Sequence, residues 1–94
     1  MKAFPITNDT MVMTTSYITT QRLPILYVVH QDDEEGGSLW QFHCDNGDYS
    51  QDKLQLVRLD TILKFDPAIV EISDLPIGSW ARRKDPTSSW LRGK

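Results

Sequence analysis

Thr and β-branched residues crowd the run Met11-Val12-Met13-Thr14-Thr15-Ser16-Tyr17-Ile18-Thr19-Thr20, a pattern that suits a pleated surface and predicts a strand. A second strand is predicted over Leu23–His30, with Pro24 at its start because proline cannot donate to a ladder. Alternation there puts Ile25, Tyr27 and Val29 on one face and Leu26, Val28 and His30 on the other. Asp32-Asp33-Glu34-Glu35-Gly36-Gly37 supplies turn chemistry, with two glycines free to take positive φ. Alternation resumes from Ser38 to Cys44, with Trp40, Phe42 and Cys44 on one face against Leu39, Gln41 and His43. Two such strands around a Gly-Gly loop read as an antiparallel hairpin.

Asp45 to Asp52 is loop by composition, and Leu54–Leu59 reads as a short extended piece entering a helix near residues 59–65. Asp60 is placed as its cap or first-turn acid, with Leu59, Ile62, Leu63 and Phe65 as the apolar stripe. Pro67 disfavours a helical Asp66 and so ends it. Ala68–Ile72 reads as a further strand, closed by Asp74-Leu75-Pro76. Asp85-Pro86 is a turn between the segments 78–83 and 88–91. The expected class is α+β, a mostly antiparallel β-sheet with one short helix. No repeat or linker interrupts the chain, so residues 1–94 are expected to form a single domain.

Composition narrows the class of molecule. The 94 residues hold one cysteine, which excludes an intramolecular disulfide framework and makes a reducing cytoplasm the expected location. Nothing approaches the ~20 apolar residues of a membrane helix, and Met1 to Pro5 lacks the apolar stretch of a signal peptide. Charge is polarised within a net value of −3. His30 to Asp60 carries eight acids against Lys53 and Arg58, whereas Ile77 to Lys94 carries five bases against Asp85. The acids suit a solvated loop, a docking surface for a cationic partner, or a cradle for the basic tail. An isoelectric point near 5.1 disfavours nucleic acid.

Candidate chemistry is sparse. His43 and Cys44 are neighbours on a strand and point to opposite faces, and Cys44 reads as a small buried hydrophobe. His30 and His43 lie on paired strands and could meet across the hairpin to serve a small metal-dependent or acid/base enzyme. No CxxC or HExxH spacing supports a metal, the 45–52 loop does not fit the calcium pattern, and no phosphate-binding glycine loop occurs. No cofactor and no metal is therefore expected. Trp40 reads as core. Trp80 and Trp90 lie among Arg82, Arg83 and Arg92, residue types enriched at interface hot spots and equally at home in cation–π contacts.

Three stretches occur in an order that resembles a known family: Trp40-Gln41-Phe42, the run from Leu59 to Ile69 (LDTILKFDPAI), and the run from Asp74 to Arg83 (DLPIGSWARR). Together, across about residues 11–83, they resemble a small bacterial domain family grouped with the immunity proteins of polymorphic toxin systems, the immunity-protein thirty-three-like family. The chain departs from that pattern at His43-Cys44-Asp45 and at Leu26. The resemblance implies a non-enzymatic protein that neutralises a cognate toxin by direct docking. Asp32, Asp33, Glu34, Glu35, Asp45 and Asp48 are the contact candidates, because an acidic surface complements a basic toxin. A homo-oligomer formed through a free sheet edge is also compatible with the pattern.

Overall fold

The computed structural model describes residues 3–48 and 50–94, that is, all but Met1, Lys2 and Tyr49. Its strands are β1 (Met11–Thr15), β2 (Tyr27–Asp32), β3 (Ser38–His43), β4 (Leu54–Arg58), β5 (Ser79–Arg82) and β6 (Leu91–Gly93). Two α-helices, α1 (Ser16–Thr19) and α2 (Leu59–Phe65), and two 3-10 segments, Gln51–Lys53 and Pro67–Ile72, complete the order. The strands form one sheet in the order β4-β1-β3-β2-β5-β6. Every pairing is antiparallel except β1 with β3, which run parallel through Met13 and Gln41. The expected α+β class and the β2–β3 hairpin are both present.

The hydrophobic alternation explains which face is covered. Val12 and Thr14 of β1, Val28 and His30 of β2, Trp40 and Phe42 of β3, and Ser79 and Ala81 of β5 are all buried. They meet Leu59 and Ile62 of α2, Ile69 and Ile72 of the second 3-10 segment, and Phe4, whose ring stands edge-on to Trp40 at 4.8 Å. The opposite face presents Met11, Leu56 and Leu91 exposed, with Val29, Leu39, Gln41 and Trp80 half-buried. Thr15 and His43 are the buried exceptions on that side.

Three sequence expectations are corrected. The strand expected over Met11–Thr20 ends at Thr15, because the chain turns there into α1 to bury Ile18 at 1% exposure. Arg22, at φ 61°, takes the left-handed position that glycine usually fills after a helix, and the Leu23 amide closes back on the Tyr17 carbonyl at 3.0 Å. The second strand begins at Tyr27 rather than Leu23 and runs on to Asp32. Ala68–Ile72 is not a strand. The Asp66 carboxylate accepts from the Ala68 amide at 3.1 Å and Pro67 presets the first turn, so the Asp-Pro pair that stops α2 also starts a 3-10 helix. Ile69 and Ile72 fall one such turn apart and both point inward.

Candidate functional site

The acidic run is the tip of the β2–β3 hairpin, and its geometry comes from its own side chains. Asp33 Oδ1 accepts from the amides of Glu35 and Gly37, each at 2.9 Å, and Asp32 Oδ1 accepts from the Glu34 amide at 3.0 Å. Glu34 at φ 68° and Gly36 at φ 86° make the reversal. A Cβ at Gly37 would lie 2.7 Å from Asp33 Oδ2, so a larger residue there would push that carboxylate aside. Two of the acids thus build the loop, while all four remain exposed. Among the described residues no ion pair includes Asp32, Asp33, Glu34 or Glu35.

Asp45 and Asp48 are not part of that tip. Asp32 pairs with Ser38 at one end of the ladder and Tyr27 with His43 at the other, which at ~3.3 Å per residue separates the two ends by about 17 Å. Asp45 lies beyond the far end, where its carboxylate meets Arg82 Nε at 2.9 Å. Asp48 accepts from the Tyr17 hydroxyl at 2.5 Å and from both the hydroxyl and amide of Ser50. Those bonds, the Ser50 hydroxyl foremost, hold the Asp48 carboxyl down at about 2 and raise the Tyr17 hydroxyl. Both aspartates therefore organise the end of the sheet opposite the tip.

The basic tail splits likewise. Arg82, on the less covered face, lies over the Tyr27 ring at 4.3 Å and the Trp80 ring at 5.6 Å. Sequence reasoning grouped Trp80 with arginines but missed Tyr27, which the β2–β5 register places directly opposite Arg82. The period-two spacing of Trp80 and Arg82 was the available signal. Arg83, one residue on, points to the other side and is buried. It donates to the Ile25 carbonyl through Nε at 3.0 Å and Nη2 at 2.8 Å, pairs with Asp66 at 2.5 Å, and lies 4.4 Å from the Trp90 ring centre.

The two histidines do not meet. Register puts Trp40 opposite His30 and Tyr27 opposite His43, so the imidazoles lie on opposite faces of the sheet. His30 braces the core: Nδ1 donates to the Leu75 carbonyl at 2.7 Å, Nε2 shares a hydrogen bond with Ser38 Oγ at 2.7 Å, and the ring stacks on Trp40 at 3.9 Å. His43 hydrogen-bonds Gln41 at 2.9 Å, and burial pushes its pKa down against the opposing pull of Asp45. Cys44 is a buried free thiol, as its place beside Phe42 implied. Two open clefts, of about 470 and 480 Å³, flank Phe65 and Arg82 respectively, and neither imidazole lines them. Among the described residues no three His, Cys, Asp or Glu side chains gather as metal ligands would, and no helix is long and apolar enough to cross a membrane.

The chain matches the immunity protein Imm33 domain family over residues 12–94, continuing past Arg83 through β6. No curated protein and no solved structure matches it.

Proposed function

The chain belongs to the Imm33 immunity-protein family, and from that premise we propose that it neutralises a cognate protein toxin by docking on it, without catalysis, in the cytoplasm of the producing cell. The observation that carries the proposed mode of contact is the hairpin tip. Four consecutive acids are exposed there on a loop whose backbone is fixed by two of their own carboxylates. A charged surface that needs no rearrangement accelerates encounter with an oppositely charged partner, by roughly 10 to 1,000-fold in strongly steered pairs. The partner chemistry that fits is a toxin with a basic working surface, as a nuclease has.

Asp32, Glu34 and Glu35 carry the steering charge in this reading, Asp33 is left in place to hold the loop, and Asn at position 32 keeps the Oδ1 that accepts from the Glu34 amide. Asp45 and Asp48 serve the opposite end of the sheet. The test begins with co-purification of the chain with the product of its neighbouring gene. Association is then followed by stopped flow across a salt series for the native protein and for the triple variant Asp32→Asn, Glu34→Gln, Glu35→Gln. The native rate is expected to fall steeply with salt. The variant is expected to associate about tenfold more slowly at low salt, with a flatter salt dependence and little change in dissociation. Failure to co-purify would overturn docking on that product, and an unchanged association rate would overturn the role of the tip.

A further inference from the structure

The sheet face away from the core keeps a continuous apolar row near solvent. Register sets Trp80 opposite Val29, Val29 opposite Gln41, Gln41 beside Met13, and Met13 opposite Leu56. One row therefore crosses the five strands from β5 to β4, about 19 Å at ~4.8 Å per strand. Gln41 is its only polar member. Leu56 is 60% exposed and Met11, one row away, is 50% exposed, while Trp80, Val29, Met13 and the tip-side Leu39 are half-buried. A contiguous open apolar surface of this kind marks an interaction site.

The charges on that face are equally selective. The positions its strands turn outward include Arg58 and Arg82 but no aspartate, glutamate or lysine, in a chain of 13 acids and 10 bases. Aromatic residues, methionine and arginine, with few acids, are the composition of interface centres. Arg82 is also set in place before any partner arrives. Its Nε meets Asp45 at 2.9 Å, its guanidinium lies over the Tyr27 and Trp80 rings at 4.3 and 5.6 Å, and 46% of the side chain stays exposed. A guanidinium held in this way loses little freedom when a carboxylate comes to its remaining donors.

We infer that the toxin seats on this face, with an apolar patch of its own against the Trp80–Leu56 row and a carboxylate against Arg82. The assignment rests on the proposed docking role and divides it, the tip governing encounter and the face governing release. Two features select that occupant. The tip and the face share strands: Asp32 lies three residues along β2 from Val29, about 10 Å. A partner of standard footprint, ~800 Å² or about 30 Å across, reaches from one to the other. A second copy, by contrast, does not complement the face. Laid against itself, it gathers four arginines and adds no outward acid, a like-charge juxtaposition that disfavours the pairing. A nucleic-acid backbone is served no better, since each arginine already has an aspartate beside it, Asp60 or Asp45.

The test measures dissociation of the co-purified complex for Trp80→Ala, Leu39→Gln and Arg82→Gln. Trp80→Ala is expected to dissociate about thirtyfold faster and the other two about three- to tenfold faster, with association within about twofold of native, the reverse of the tip variant. Leu39→Gln changes only an open-face side chain and is expected to keep the native circular dichroism, so it decides the matter even if Trp80→Ala loosens β6. Association still set by the tip, with Leu39→Gln and Arg82→Gln leaving at the native rate, would overturn the face while sparing the docking role. Failure to co-purify removes both. Sedimentation velocity of the chain alone is expected to show a monomer, and a dimer weakened by Leu39→Gln would hand the face to a second copy and sink the inference.

Discussion

Arg83 is 6% exposed and donates to the Ile25 and Pro86 carbonyls and to the Asp66 carboxylate while its guanidinium lies over Trp90. It joins the approach to β2, the cap of the second 3-10 segment and the β5–β6 connection at one point. Arg83→Met is expected to destabilise the fold by roughly 3–5 kcal/mol, because removing one partner strands the others, and urea denaturation reads this directly. Two further side chains act through pH, in separate windows. Burial lowers the pKa of His43 in the folded chain, so the unfolded chain takes up the proton first and stability falls as pH drops below ~6.5. In His43→Gln the loss of thermal midpoint between pH 7 and 5 is expected to shrink. Asp48, held at about 2 by Ser50 and Tyr17, acts in the same direction over a more acid window. Its contribution is complete above ~4 and vanishes as acid protonates the carboxylate. Asp48→Asn is expected to melt below the native protein at neutral pH, with the gap closing as pH falls through about 2. In sequence, Arg83 resembled its neighbour Arg82, and only strand parity, set by pairing with β2, separates the buried guanidinium from the half-exposed one.

At the scale of elements, local signals were read well where one strong pattern acted alone. Leu59, Ile62, Leu63 and Phe65 marked α2 by spacing, and the alternation of Trp40, Phe42 and Cys44 marked the inner side of β3. They misled where tertiary contacts outweighed propensity. The Thr-rich run after Thr15 has the composition of a strand, yet burying Ile18 bends it into a helical turn closed by a left-handed arginine. Asp66-Pro67 was legible as a stop but not as a start, because the same dipeptide performs both. The tip was legible as a loop, whereas the distance from Asp32 to Asp45 depends on hairpin register and not on adjacency in the chain. The edge strand β6 offers a test of packing. A Cβ at Gly93 would lie 2.3 Å from Cζ2 of Trp80, the residue opposite it. Gly93→Ala is expected to cost about 1–3 kcal/mol. It should lift the indole or detach β6, seen as a red shift in Trp80 emission when Trp40 and Trp90 are replaced by phenylalanine in both proteins.

Across the whole molecule, charge and apolar surface are sorted by place. The acid tip projects from one end of the hairpin, and the Arg82–Asp45 and Tyr17–Asp48 contacts tie down the other. One sheet face holds the core while the other keeps Tyr27, Arg82 and Trp80 together near solvent. The sheet order was the least legible feature, since nothing in residues 11–15 announces that they will lie between two strands written later. That placement has a consequence for how the protein is made. β1 leaves the ribosome first, but its neighbours β3 and β4 finish only at His43 and Arg58. The nascent strand must wait until His43 has been added before its first flank exists and until Arg58 before its second, and long-range closure of this kind slows folding. A chain cut short before Arg58 therefore carries β1 with one flank bare, an unpaired edge in the middle of what should be the sheet.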